Sequence, residues 1–180
     1  MKYTLGISVA TLALAAFSLS AKEPMVGGHK MYPNKDIIDN AVNSADHTTL
    51  VAAVKAAGLV DTLKGTGPFT VFAPTNAAFA KLPAGTVDTL LKPENKDTLV
   101  KILTYHVVPG RITSQAVKAM IKQGHGKAEL KTVQGETLTA MMDGATLVLK
   151  DQKGSTSRVT IANVMQSNGI IHVVDTVVQP

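Results

Sequence analysis

The stretch GPFTVFAPTNAAF, running from Gly67 to Phe79, decides the fold. An N-terminal export signal is expected to take Tyr3 and Phe17 with it. The five aromatic residues left are Tyr32, Phe69, Phe72, Phe79 and Tyr105. All three of those phenylalanines lie in this stretch, where they are the largest apolar anchors of a core otherwise built from Ala, Val, Ile and Leu. After a turn at Gly65-Thr66-Gly67-Pro68, Phe69, Val71 and Ala73 point one way and Thr70 and Phe72 the other. Large apolar groups on both faces predict a central strand covered on both sides. Thr75 reads as the N-cap of a short helix over 76–82, with Pro74 and Phe79 at the spacing of a hydrophobic staple.

The N-terminus has Lys2, then an apolar run from Leu5 to Phe17, then small residues Ser18 to Ala21. The run is shorter than the roughly 20 apolar residues a membrane span needs, so residues 1–21 read as a cleaved signal peptide. Export to a periplasm or secretion is the expected localisation, with no membrane span after cleavage. The chain has no cysteine. That excludes disulfides, thiolate metal sites, a cysteine nucleophile and a lipid-modified N-terminal cysteine. Stability must then come from a packed core, and about 159 residues suffice for one domain that buries roughly 70% of its unfolded surface. The formal net charge is +5. The lysines read as spread over many segments with no aromatics between them, which gives a solvated basic surface and no nucleic-acid motif. Weak attraction to anionic polysaccharide or a cell surface is a secondary expectation.

Residues 22–34, with Pro24, Gly27, Gly28 and Pro33, read as an extended leader, and residues 35–180 as the folded domain. Helices are predicted at 36–42, from 46 or 47 to about 63 with Gly58 as a weak point, at 86–91, at 97–105 and at 115–123. Leu99, Ile102, Leu103 and His106 recur at helical spacing, which places His106 on the apolar face. In the last third the period changes to 2. Strands are predicted at 127–133, 136–142, 145–150, 158–165 and 170–178, with hairpin turns at Asp143-Gly144 and Asn168-Gly169. Helices in front and strands behind, with the strand at 69–73 joining the later sheet, give a single α+β domain.

The chemistry-bearing residues are few. His29, His47 and His125 read as exposed or in the leader. His106 and His172 fall among apolar neighbours, as a buried pair or, with Asp175, a weak metal site. The simpler reading is that each ring is neutral and hydrogen-bonded, with Thr75 or Asn76 as expected partners. No spacing of the HExxH kind supports a metal, and no nucleophile elbow or phosphate loop is present. No catalytic residue, cofactor or metal is therefore expected. Met120, Met141, Met142 and Met165 read as core or gap filler, or else as an adaptable apolar surface.

Three ordered stretches, GPFTVFAPTNAAF at 67–79, LTYHVVPG at 103–110 and NGIIHVVDTVVQP at 168–180, resemble the fasciclin (FAS1) family. The resemblance covers roughly Asn34 to Pro180. It implies helices packed on a wedge of two β-sheets, in a stand-alone secreted domain of the bacterial type. It also implies a role in adhesion or extracellular protein contact. Animal members contact integrins through a Tyr-His region, matching Tyr105 and His106 with Leu103, Val107 and Val108, and through an acidic Asp-Ile pair. Asn163 and Val164 stand at the acidic pair here, so the carboxylate is missing.

The function expected is a secreted, non-catalytic binding module for cell adhesion or for contact with an extracellular or cell-surface protein or polysaccharide. The expected contact residues are Tyr105, His106, Val107, Val108, Asn163, Val164 and Met165. The alternative, also implied by the resemblance, is carriage of a hydrophobic small molecule such as a carotenoid.

Overall fold

The computed structural model describes residues 23–180. The expected signal peptide, residues 1–21, lies outside them. In chain order the elements are strands β1 (Met25–Val26) and β2 (His29–Lys30), then helices α1 (Ile37–Ala41), α2 (Thr48–Ala57) and α3 (Val60–Lys64). Strand β3 (Phe69–Pro74) precedes α4 (Asn76–Ala80), α5 (Thr86–Leu90) and α6 (Lys96–Tyr105). Strand β4 (Val107–Pro109) and helix α7 (Ser114–Gln123) lead into β5 (Lys127–Lys131), β6 (Thr137–Asp143), β7 (Thr146–Lys150), β8 (Thr156–Gln166) and β9 (Gly169–Val174).

Strands β3 to β9 form one seven-stranded sheet in the order β4-β3-β9-β8-β7-β6-β5. Only β3 and β9 are parallel; the other neighbours run antiparallel. The sheet has two halves that share β8. Residues 156–158 pair with β7, while 159–166 pair with β9 through two register shifts between Val159 and Val164. Irregularities of this kind bend and twist a strand, and β8 is where one half turns into the other. The two edges of the sheet come together just past β5, where Val133 N–H donates to the Val107 carbonyl of β4 at 2.8 Å.

The strand at 69–73 is covered on both faces, as its alternation predicts, and lies between β9 and the short edge strand β4 rather than in the middle of the sheet. Val71 and Ala73 pack with Ile171, Val173 and the helices that carry Leu50, Val54, Leu99 and Leu103. Phe72 points into a second core with Tyr105, Val117, Leu130, Leu138 and Leu149. Burying such a ring contributes about 1.5–3 kcal/mol. Thr75 caps α4 as expected, accepting from Ala78 N–H at 3.2 Å.

Three local readings differ. The helix expected from 46 or 47 to about 63 is two helices, because Gly58 takes a left-handed conformation (φ 71°). The N–H groups of Gly58 and Leu59 then cap the carbonyls of Lys55 and Val54, and glycine suits that position best. The hairpin read at Asn168-Gly169 is displaced by one residue: Gln166 pairs with Gly169, so Ser167 and Asn168 form the turn. Gly169 belongs to the strand because a Cβ there would lie 2.0 Å from the Phe69 carbonyl oxygen. The stretch read as a leader contains the β1–β2 hairpin and buries Val26 and Met31 in the first core.

Candidate functional site

The residues expected to touch a partner do not share a surface. Tyr105, His106, Val107, Val108 and Val164 are all buried. Asn163 is half-buried, and Met165, at 36% exposure, is the one clearly exposed member. The Tyr-His pair stands where α6 ends and β4 begins, so its side chains are directed inward by the packing of α6 against the sheet. In this conformation the pair ties elements together. Tyr105 Oη donates to the Thr137 carbonyl of β6 at 2.9 Å. Burial, with Asp151 nearby, pushes the Tyr105 phenol up to about 12. The His106 carbonyl accepts from Phe72 N–H at 2.9 Å.

His106 lies on the apolar side of α6, as its spacing predicts, but its partners are not Thr75 or Asn76. Nδ1 faces the Ile102 carbonyl at 2.8 Å, and Nε2 accepts from Val178 N–H at 3.2 Å. Those partners fix a neutral ring protonated on Nδ1. A second proton would confront the Val178 N–H, and burial lowers the pKa to about 4. His172 has the opposite tautomer: Nε2 faces the Ile112 carbonyl at 2.8 Å and Nδ1 accepts from Asn163 N–H at 3.2 Å. It stacks on Phe72 with centroids 5.5 Å apart, and burial lowers its pKa as well. Since Nδ1 and Nε2 are both engaged, the reading of His172 with Asp175 as a metal site fails. Among the described residues no group of three or more His, Cys, Asp or Glu side chains could hold a metal.

His47, read as exposed, is buried. The 3₁₀ turn Ala45–His47 brings its ring under β3, where Nδ1 meets Ser44 Oγ at 2.8 Å and Nε2 the Ala73 carbonyl at 3.4 Å. Burial again depresses its pKa.

Asn163 occupies the irregular part of β8 with a left-handed backbone, φ 59°, which asparagine tolerates better than most residues. Its Oδ1 accepts from Ser114 N–H at 2.8 Å, and its Nδ2 donates to Ser114 Oγ and Gln115 Oε1. An aspartate could accept at this place but could not make the two donations. The amide thus joins β8 to the start of α7.

No local pattern announces the buried amides Asn168 and Asn40. Asn168 Oδ1 accepts from Ile37 N–H, and its Nδ2 donates to the carbonyls of Leu63 and Gly65. Asn40 bonds both the N–H and the carbonyl of Tyr32 and donates to Gln166 Oε1. The Asn-Gly pair at 168–169 signals only a turn. Its amide sews α1 and α3 to the sheet.

An apolar cavity of about 60 Å³ lies within the first core, lined by residues such as Val26, Met31, Leu50, Phe69, Leu103 and Ile171. Ligand pockets span about 300–1,000 Å³, so this cavity is far smaller than a site for a sizeable cargo.

The fasciclin domain model matches residues 45–180. This chain belongs to the fasciclin family. It is 46% identical over 176 residues to Protein sll1483 of Synechocystis sp., covering 97% of this chain and 89% of that one. It is 39% identical over 145 residues to the cell surface glycolipoprotein MPB83 of Mycobacterium bovis, covering 78% of this chain and 58% of that one. The solved FAS1 domain pair of the insect cell adhesion molecule Fasciclin I matches with a TM-score of 0.70 at 20% identity, over 80% of this chain. This chain spans half of that pair's chain. The pair shares the fold of this fasciclin domain, an α+β body with a bent, mostly antiparallel sheet. No helix among the described residues is long and apolar enough to cross a membrane.

Proposed function

We propose that this fasciclin domain is an exported, non-catalytic binding module, freed of residues 1–21 and acting at a cell surface or in a periplasm. It makes contact with an extracellular or surface macromolecule. The cell-surface relative and the adhesion-molecule neighbour support the setting. The observation that carries the reading is that His47, His106 and His172 have both ring nitrogens engaged within the fold. All three rings are buried, so none of them is presented to solvent as a general base. Contact then falls to exposed groups such as Met165, with Tyr105, His106 and Asn163 holding that surface in shape.

The test is deletion of the protein in its source cells, an attachment assay, and cross-linked capture from intact cells. Deletion should reduce attachment. Wild type should restore it, and a folded Met165→Glu variant should restore it less well. Unchanged attachment together with no captured partner would rule the module out. Recovery of a coloured protein that exchanges pigment would favour carriage of a hydrophobic small molecule instead.

A further inference from the structure

The positive charge of this chain is not spread evenly, contrary to its first appearance in sequence. Arg111, Lys118, Lys122, Lys127 and Lys131 face a single acid, Glu129, between residues 111 and 131, so this segment supplies four of the chain's five net positive charges. The fold gathers it into α7, β5 and the loops beside them. All five cations are exposed. Among the described residues none is in an ion pair, since the five ion pairs present use other side chains.

The same region is an open seam of the sheet. Strands β4 and β5 are its two edges, and beyond the single Val133–Val107 bond they part around a groove of about 570 Å³. Val108, Pro109, Ile112, Met120, Leu130 and Val133 give it an apolar lining, with Glu129 and Lys131 at the rim. Thr132 N–H donates to the Glu136 carbonyl in register with the β5–β6 ladder. The alternation of an antiparallel ladder then turns the N–H and C=O of Glu129 and Lys131 away from β6. No other hydrogen bond among the described residues takes them up.

We infer that this seam is a docking site for an extended acidic polypeptide segment, added as a strand along β5. This deepens the binding-module reading and rests on it. An incoming strand would meet the free backbone groups of Glu129 and Lys131. Its alternate side chains would enter the apolar groove, and its carboxylates would face the lysines. A second copy of this chain is disfavoured by like charge, since lysines on an edge strand repel their own kind. An acidic polysaccharide would find the charge, but neither an aromatic platform nor any use for a strand edge.

The probe is a seven-residue peptide, Asp-Val-Glu-Val-Asp-Val-Glu, capped at both ends. It is compared with its lysine counterpart, with a form N-methylated at alternate residues, and with alginate. The acidic peptide should bind the purified protein, shift the amide resonances of Glu129 and Lys131, and weaken with added salt. Lys127→Glu with Lys131→Glu, on exposed side chains, should weaken it at least tenfold while the thermal midpoint holds. N-methylation should do the same without touching the protein. Absence of binding, binding indifferent to N-methylation, or displacement of the peptide by alginate at equal charge would overturn the inference. If cell-surface capture persists in the double variant, the module reading stands and this seam is not its site.

Discussion

At the scale of single residues, His106 shows most clearly how polarity is used in this domain. Its neutral tautomer is set by one carbonyl and one N–H, and its pKa falls to about 4 by burial. Below about pH 6.5 the unfolded chain takes up a proton that the native ring refuses. The stability His106 contributes is therefore complete above that pH. It is lost as pH falls toward about 4, at up to ~1.4 kcal/mol per pH unit. His47 and His172, also lowered, add in the same direction. Denaturant midpoints should drop between pH 7 and pH 5, and His106→Gln should flatten that drop while costing about 1–3 kcal/mol at pH 7. Tyr105 separates packing from polarity. Tyr105→Phe should cost under about 1 kcal/mol, because Gln152 Nε2 still donates to the Thr137 carbonyl. Tyr105→Ala should cost about 3–5 kcal/mol through the cavity it leaves. Periodicity makes the inward direction of His106 legible. Its partner Val178 is 72 positions away, and no local pattern announces it. His47 is hidden for a related reason: the short turn that buries it has no period to read.

At the scale of elements, β3 and β9 are the pair on which both cores rest. The alternation of Phe69 to Ala73 makes β3 readable, and Thr75 makes the start of α4 readable. The partnership is not, since parallel neighbours 100 residues apart leave no turn between them to count. Gly169 is the sensitive point. Its strand conformation would suit any residue, but the Phe69 carbonyl comes too close for a side chain. Gly169→Ala should force β3 and β9 apart and leave most of the protein insoluble or unfolded, as read by soluble yield and circular dichroism. Asn163→Ala in β8 should be milder, at about 1–3 kcal/mol for three lost hydrogen bonds and a left-handed backbone. Its chemical denaturation curve gives that figure directly. The absence of a carboxylate at 163 thus has a structural counterpart: an amide that donates as well as accepts.

At the scale of the whole molecule, fold class and core follow from pattern, while the arrangement of surfaces does not. Residues 67–79 mark an inner strand of the sheet, second from the β4 edge. They say nothing of the seam between β4 and β5, because the closure depends on where β8 bends. The N-terminal segment shows the limit of composition: Pro and Gly suggest a leader, yet Val26 and Met31 join the first core. Removing residues 23–34 should lower stability by about 2–5 kcal/mol, the range for losing a large buried side chain or two, and the thermal midpoint measures it. The Tyr-His region is an internal tie, with Tyr105 and His106 both buried, and we propose that recognition belongs to exposed surface. Nitrogen-15 NMR titration of the histidine rings tests that tie most directly. His106 should remain neutral and protonated on Nδ1 from pH 7 to about pH 5, changing only as the domain loosens in acid. Reversible titration of His106 near pH 6.5, with the fold intact, would show an accessible ring and no internal tie.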